Sequence, residues 1–236
     1  MTGYGQFCPV AAASEVFVQR WTPLILRELF AGSTRFNEIQ RGLPLISRTL
    51  LAQRLRALEQ LGILDCVNRP GSGRAEYRLT AAGAAFAPVV RGLGEWGQRW
   101  AARFDSQNLD PRFLMWNIRR RLALERLPAN RLVMRFEFSG LPARYRRPSE
   151  FWLIVAGAAV DLCMKDPGAE VDLQVSADMK SFARMWLGDI SFAQLQKLGG
   201  IRLAGRREYT RAFPTWLRRS GFADVPGPRA VLTSST

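Results

Sequence analysis

One stretch of the chain, residues 47–62, carries polar side chains at helical spacing that can hydrogen-bond to nucleic-acid bases and phosphates. Thr49, Gln53 and Arg56 recur at intervals of four and three residues, so they share one helix face, which Gln60 continues. Hydroxyl, amide and guanidinium groups near a helix N-terminus suit the major groove of duplex DNA. The candidates on this helix for DNA contact are Ser47, Arg48, Thr49, Gln53, Arg54 and Arg56. The alternative is the solvated face of an ordinary amphipathic helix.

A predicted hairpin directly follows this helix and carries a second set of basic side chains. Residues 63–69 have strand character, residues 70–73 (PGSG) form a turn, and residues 75–79 return as a strand with alternating polarity. Arg69 and Arg74 flank the tip, where a basic side chain can contact phosphate or a narrow minor groove. Arg78 is a weaker candidate. The hairpin predicts a wing. A wing after the helix over residues 47–62 favours DNA contact by that helix over an ordinary solvated face.

Neighbouring helices must hold these side chains in position. Leu51, Leu55 and Leu58 form the opposite, apolar face of the helix that Ser47 is expected to cap, and they would pack on two preceding helices. The second of those helices is predicted to follow an N-cap at Thr34. After the wing, Thr80 is expected to cap a helical region that reaches Phe104. Its apolar stripe is too long for so small a domain to cover, which predicts a partner subunit on the dimerisation candidates Leu93, Trp96, Trp100 and Phe104.

Residues 8 to about 104 resemble the HxlR family of winged-helix regulators. The motifs that carry the resemblance are Cys8-Pro9-Val10, Arg20-Trp21-Thr22, residues 24–29 (LILREL), residues 35–39 (RFNEI), Ser47, residues 51–59 (LAQRLRALE), Gly62, residues 77–80 (YRLT) and Gly83. The resemblance implies a homodimer joined by the first and last helices of the domain. It also implies binding to an inverted repeat with recognition helices about 34–36 Å apart. Repression is the usual outcome in the family, although activation occurs.

The resemblance also makes Cys8 a redox candidate, because several regulators of this family sense oxidants or electrophiles with a cysteine at the corresponding position. A helix N-terminus promotes thiolate formation. The alternative is a small buried residue at the start of a helix. Cys66 and Cys163 are expected to be structural. The three cysteines are far apart and the chain has no histidine, so we expect no metal site and no cofactor.

Composition argues against catalysis and favours a polyanionic partner. The absence of histidine removes Ser-His and Cys-His catalysis, and no nucleotide-binding glycine motif follows a strand pattern, so the chain is not expected to be an enzyme. A net charge of +14 suits double-stranded DNA or, less often, an anionic membrane surface. A genomic base-composition bias would also explain the arginine content. No signal peptide or membrane-spanning stretch is evident, which predicts a cytoplasmic protein without membrane contact.

The second half of the chain predicts a separate ligand-binding domain. After a polar linker, a helix over 111–127 precedes four strand-like segments at 132–138, 151–155, 160–165 and 171–175, and helices follow from residue 178. Alternating polarity predicts an antiparallel sheet covered by helices on one side. This order of elements, with residues 166–191 (DPGAEVDLQVSADMKSFARMWLGDIS), resembles a sterol-carrier-like domain over residues 112 to about 225. The resemblance implies an apolar tunnel for a small hydrophobic ligand. Its candidate wall residues are Phe136, Phe138, Trp152, Met164, Phe182, Trp186 and Trp216; the alternative is that they are core.

The predicted fold class is therefore α+β. The predicted divisions are an N-terminal winged helix-turn-helix (1–105), a linker (106–111), a sterol-carrier-like domain (112–228) and a tail (229–236). The predicted function is sequence-specific transcriptional regulation, with repression expected, by a homodimer that an apolar ligand or Cys8 oxidation modulates. The alternative is a lipid-binding carrier or scaffold protein whose winged helix contacts other proteins.

Overall fold

The computed structural model describes residues 3–68, 75–101, 108–145 and 149–227. The chain forms two compact units that divide between Gly94 and Glu95, earlier than the predicted boundary after residue 105. The predicted linker lies partly, and the predicted tail entirely, outside the described residues. Each unit has its own hydrophobic core.

The N-terminal unit is a winged helix-turn-helix. Its elements are α1 (Pro9–Phe17), α2 (Thr22–Phe30), α3 (Phe36–Gly42), α4 (Arg48–Gln60), β1 (Leu64–Asn68), β2 (Ala75–Leu79), α5 (Ala81–Ala84) and α6 (Ala87–Trp100), the last of which runs across the division. The core joins α2, α3 and α4 through buried aliphatic side chains such as Ile25, Ile39 and Leu55. This packing fixes the helix pair from which α4 projects.

The strands of the wing form an antiparallel pair that is anchored to the start of α3. Cys66 lies opposite Tyr77, and Leu64 lies opposite Leu79. The backbone N–H of Tyr77 also donates to the Thr34 carbonyl at 2.7 Å, and the backbones of Arg35 and Glu76 form an isolated antiparallel β-bridge. Strand β2 therefore pairs on both of its edges. The hairpin is therefore connected to the helix pair by backbone hydrogen bonds as well as by side-chain packing.

The caps of this unit follow the sequence signals with one correction. Ser47 accepts a hydrogen bond from Leu50 N at 3.2 Å, and Thr80 accepts one from Gly83 N at 3.1 Å, as predicted. Thr34 was wrongly predicted as the N-cap of α3. The cap residue is Arg35, because the Glu38 carboxylate accepts from both backbone amides, Thr34 N at 3.0 Å and Arg35 N at 3.1 Å.

The helical region predicted after Thr80 is interrupted. It consists of the short α5 and the longer α6, with Phe86 between them stacked on Phe17 at a ring-centroid distance of 5.0 Å. Pro88 lies in the first turn of α6, where a residue without a backbone N–H is tolerated. The break allows Phe86 to join the core before α6 begins.

The C-terminal unit is an α+β structure around a five-stranded sheet. It contains α7 (Pro111–Arg120), β3 (Leu132–Ser139), β4 (Glu150–Ala156), β5 (Ala159–Cys163), β6 (Leu173–Asp178), α8 (Met179–Trp186), α9 (Phe192–Lys197), β7 (Ile201–Gly205) and α10 (Arg207–Trp216). The helix predicted to reach residue 127 ends at Arg120 and is followed by a 3-10 turn, Leu124–Arg126. Leu122 then pairs with Leu217, which joins the end of α7 to the end of α10.

The prediction of an antiparallel sheet was wrong, because the sheet is mixed. Its strand order is β5-β4-β3-β6-β7, in which β3 and β6 run parallel and the other neighbours are antiparallel. Between β5 and β6, Gly168 N donates to the Asp166 carboxylate at 2.8 Å, but the two strands do not pair with each other. The chain instead crosses to the far side of β3. The sequence prediction also missed β7.

The two faces of this sheet differ in composition. Phe136, Phe151 and Val175 lie side by side and point into the core that the helices complete. The register places Trp152 on the opposite face, next to Arg135 and Cys163. The main hydrophobic core therefore lies on one face of the sheet, as predicted, although a fully apolar strand such as β4 also directs apolar side chains to the other face.

Gly83 is expected to tolerate no side chain. A Cβ at this position would overlap the backbone carbonyl oxygen of Ile63, which cannot rotate away. We expect Gly83→Ala to lower the free energy of unfolding of the N-terminal unit by about 1–3 kcal/mol, the usual cost of overpacking. Thermal and urea unfolding followed by circular dichroism would measure it. The matched control is Ala82→Ser on the exposed side of the same helix, and equal stability of the two variants would contradict the assignment.

Candidate nucleic-acid interface

The polar stripe of α4 is exposed because the leucines behind it are buried. Leu51, Leu55 and Leu58 are almost completely inaccessible to solvent. The opposite face presents Thr49, Gln53 and Arg56, whose exposed side chains form no hydrogen bond with another described residue. The structure therefore brings together, on one open surface, the three side chains that the spacing predicted. Ser47 is also exposed, and its hydroxyl caps the helix.

Arg48 is exposed but held by α3. Its guanidinium lies over the Phe36 ring, 4.9 Å from the centroid, and its Nη1 donates to Asn37 Oδ1 at 3.2 Å and Gln40 Oε1 at 3.1 Å. Three contacts restrict a side chain that would otherwise sample many rotamers. Arg48 therefore presents a positive charge in a defined position at the start of α4. The sequence analysis did not identify Asn37 and Gln40 as its partners.

Arg54 has a different position from the other arginines of α4. It is half-buried, its Nη1 donates to Gln19 Oε1 at 3.3 Å, and its buried Nε has no hydrogen-bond partner among the described residues. Gln19 lies in the connection between α1 and α2. The structure therefore connects Arg54 to the body of the unit, which separates it from the exposed stripe.

The wing strands are placed, whereas both predicted wing arginines, Arg69 and Arg74, lie outside the described residues. Arg78 is exposed and forms an ion pair with Glu76, with 3.1 Å between Nη2 and Oε2. Glu76 is itself largely buried. Arg78 thus has an acidic partner within the hairpin.

The hairpin also contains Cys66, a thiol whose surroundings disfavour the reactive thiolate form. Cys66 is half-buried opposite Tyr77, and burial raises the pKa of its thiol, with a further increase from the nearby Glu59 carboxylate. Burial likewise raises the pKa of the Tyr77 hydroxyl, with smaller contributions from Cys66 and Glu59. A raised pKa keeps the Cys66 thiol protonated at neutral pH. The sequence analysis did not identify Glu59 as part of this environment.

Cys8 is the N-cap residue of α1. Its backbone is extended, its side chain is half-buried and makes no capping hydrogen bond, and Pro9 follows as the first helical residue. The thiol is not in a disulfide. The predicted redox candidate therefore lies, partly accessible, at a helix N-terminus.

An uncovered apolar stripe runs along α6. Leu93, Trp96 and Trp100 are 48%, 62% and 54% exposed, and Val89, which the sequence analysis missed, continues the same face at 48%. Phe104, the fourth predicted residue of this stripe, lies outside the described residues. Exposed tryptophans at this spacing are typical of a surface that a protein partner covers.

Comparison with known proteins places these features in a family. A model of the family described as HxlR-like helix-turn-helix matches residues 16–105. The HTH-type transcriptional regulator YvaP of Bacillus subtilis (strain 168) is 35% identical over 111 residues, which is 46% of this chain and 95% of YvaP. This chain belongs to the HxlR-like helix-turn-helix family.

Two further relatives match the same half of this HxlR-like protein. The HTH-type transcriptional regulator MT3179 of Mycobacterium tuberculosis (strain CDC 1551 / Oshkosh) is 42% identical over 95 residues, covering 40% of this chain and 60% of MT3179. The solved structure of the reduced form of the transcriptional regulator YodB from B. subtilis is 32% identical in sequence, and the match covers 42% of this chain and 100% of that chain with a TM-score of 0.37. The family model ends at residue 105, so the sterol-carrier-like resemblance of the C-terminal unit stays a prediction.

The predicted wall residues of the C-terminal unit divide into three groups. Phe138 contacts both Phe136 and Phe182, with ring centroids 6.4 and 5.7 Å apart, and Trp186 and Trp216 belong to the same core. Trp152 is buried but lies on the other face of the sheet, apart from this aromatic group. Met164 follows the last residue of β5 and is 50% exposed, so it lies outside this core.

The residues that the structure describes contain no group of three or more histidine, cysteine, aspartate or glutamate side chains arranged to hold a metal ion. Within the same ranges, no helix has the length and apolar character needed to cross a membrane.

Removal of the Glu59 charge is expected to make Cys66 more reactive. Glu59→Gln should lower the pKa of the Cys66 thiol and raise its alkylation rate at pH 8 by about twofold. The gain is modest because burial, the larger cause of the raised pKa, is unchanged. Timed iodoacetamide labelling with peptide mass spectrometry would measure the rate. Glu208→Gln, an exposed change in the other unit, is the control, and a Cys66 rate unaffected by Glu59→Gln would disprove the coupling.

Proposed function

We propose that this HxlR-like protein is a transcriptional regulator, and not an enzyme, that binds duplex DNA sequence-specifically. The observation that supports the proposal best is the open stripe of Thr49, Gln53 and Arg56 on a helix whose other face is fixed in the core. These side chains have the length and the donors and acceptors to reach base edges in the major groove. Arg48, held by α3, is suited to a phosphate contact that sets the register of the helix on DNA.

The proposed regulator acts as a homodimer. Half-exposed apolar side chains along α6 support this part of the proposal, because a second copy of the same stripe would remove them from water. A symmetric dimer carries two copies of α4, and it therefore calls for an inverted repeat with half-sites about one helical turn apart. Binding at such a site would block transcription from an overlapping promoter, so we expect repression.

Two forms of control are part of the proposal. The first is oxidation of Cys8, which would change the N-terminus of α1 close to the exposed apolar side chain of Val10. An apolar ligand of the C-terminal unit is the second; its proposed surroundings are the aromatic side chains around Phe138. Either effector can shift DNA binding only through a difference in its affinity for the bound and free dimers.

Selection from randomised duplexes tests the proposed function directly. Purified full-length protein would be incubated with the pool at near-physiological salt, with and without a thiol reductant, and the retained duplexes sequenced. We expect enrichment of an inverted repeat. Failure to enrich any sequence under both conditions would contradict sequence-specific binding and favour a role for the winged helix in protein contact.

Substitutions on α4 should separate base reading from general affinity. We expect Gln53→Ala and Arg56→Ala each to cost about 1–3 kcal/mol of discrimination between the selected operator and a scrambled duplex, roughly 5- to 150-fold. Fluorescence anisotropy with both duplexes would measure the ratio. The matched control is Gln60→Ala, the same substitution two turns later on the exposed face, and we expect less than a twofold change there. Equal losses on both duplexes would refute the base-reading role.

Truncation of the α6 stripe should dissociate the dimer. We expect Trp96→Ala with Trp100→Ala to raise the dimer dissociation constant by at least about 30-fold, which corresponds to roughly 2 kcal/mol. Sedimentation velocity over a dilution series would measure it. Arg99→Ala on the same helix, exposed but off the stripe, is the control. Unchanged self-association of the double variant would show that this stripe is not the dimer contact.

A further inference from the structure

We propose that the C-terminal unit carries its own contact surface for the phosphate backbone of duplex DNA. The surface is the arginine clasp, defined as Arg120, Arg121, Arg126, Arg218 and Arg219, where the end of α7 pairs with the end of α10. The proposal goes beyond the DNA contact of α4, although the choice of DNA as the polyanion rests on the proposed function.

Backbone pairing brings the arginines together. Leu122 bridges Leu217, Ala123 N donates to Trp216 O at 2.9 Å, and Arg218 N donates to Arg121 O at 3.2 Å. This short antiparallel contact sets two arginine pairs, 120–121 and 218–219, against each other. Their proximity is therefore a property of the fold and does not depend on rotamers alone.

Side-chain hydrogen bonds hold several of the guanidinium groups in place. Arg121 Nε donates to the carbonyl of Arg219 at 2.7 Å, and Arg120 Nη2 donates to Asn117 Oδ1 at 3.1 Å. Arg126 Nη1 donates to the Thr215 carbonyl at 3.4 Å. None of these acceptors carries a charge, so these bonds orient the arginines without neutralising them.

Positive charge exceeds negative charge at the clasp. Glu125 forms an ion pair with Arg218 at 2.6 Å, and Asp224 forms one with Arg219 at 3.1 Å. Arg121, Arg126, Arg218 and Arg219 against these two carboxylates leave an excess of two positive charges. Burial, with the proximity of Arg218 and Arg120, lowers the pKa of the Arg121 guanidinium, which shows that like charges repel there. A row of phosphates would relieve this repulsion.

Duplex DNA is the polyanion that the clasp fits best. The side chains of Arg126, Arg218 and Arg219 are 61%, 58% and 46% exposed, so they are open to a large partner. Several cations spread over two chain segments match a repeating anion better than a single small phosphate, and guanidinium groups bond phosphate oxygens in pairs. Such contacts carry no base information and add affinity on any sequence.

Neutralisation of the two most terminal arginines tests the proposal in the full-length protein. With a fluorescein-labelled random 30-base-pair duplex, we expect Arg218→Gln with Arg219→Gln to lower affinity about tenfold at 0.15 M salt. The slope of log affinity against log salt should fall by about two. The same loss is expected on an operator duplex, so the operator-to-random ratio stays unchanged. Arg202→Gln, an exposed arginine on β7, is the matched control with less than a twofold effect.

Protection from chemical modification supplies an independent readout on the unaltered protein. Phenylglyoxal labelling followed by peptide mass spectrometry should show slower modification of Arg218 and Arg219 when the random duplex is present, and no protection by phosphatidylglycerol vesicles. Unchanged affinity and slope in the double variant would overturn the proposal, as would protection by vesicles alone. A clasp-dependent loss of random-duplex binding without any selected operator would overturn the proposed function and leave the clasp assignment standing.

Discussion

Burial of one leucine face determines everything that α4 can present to a ligand. Leu51, Leu55 and Leu58 lose nearly all contact with solvent, and burial of each contributes about 1.5–3 kcal/mol before the entropy of ordering is subtracted. Rotation of the helix by one residue, about 100°, would withdraw these side chains from the core. The exposed face is therefore fixed by the packing of the opposite face, and the order of Thr49, Gln53 and Arg56 on the surface follows from helix geometry alone.

A buried ionic contact fixes the turn that leads into this helix. Glu28 is fully buried in α2, and Arg27 Nη2 bonds both its carboxylate, at 2.9 Å, and the carbonyl of Gly42 at the end of α3, at 3.0 Å. A side chain on Gly42 would overlap the Glu28 carboxylate. Loss of Arg27 would remove a positive partner from a fully buried carboxylate, which is costly. The charge pair thus joins α2 to α3 just before α4 begins.

Local signals predicted most of the N-terminal unit and much less of the C-terminal sheet. Leucine spacing and the caps at Ser47 and Thr80 are properties of a few neighbouring residues, and the structure confirms them. The parallel pairing of β3 with β6 depends on a crossover, which alternation within a strand does not encode. The sheet face on which Trp152 lies was not evident from the sequence for a related reason. The apolar run of β4 lacks alternation, so its two faces can be told apart only from the register with β3.

The predicted arginine roles show the same limit, because residue type does not reveal what a guanidinium already binds. Arg48 and Arg54 were grouped with Arg56, yet the first is held by α3 and the second by Gln19. Charge counting by unit is similarly incomplete. The N-terminal unit has eleven basic and six acidic residues and the C-terminal unit twenty-three and fourteen, so the larger excess lies away from α4. Attraction to a polyanion therefore arises in both units. Under the proposed function α4 adds base-reading side chains to this attraction, and affinity and sequence discrimination would then be separable properties of this chain.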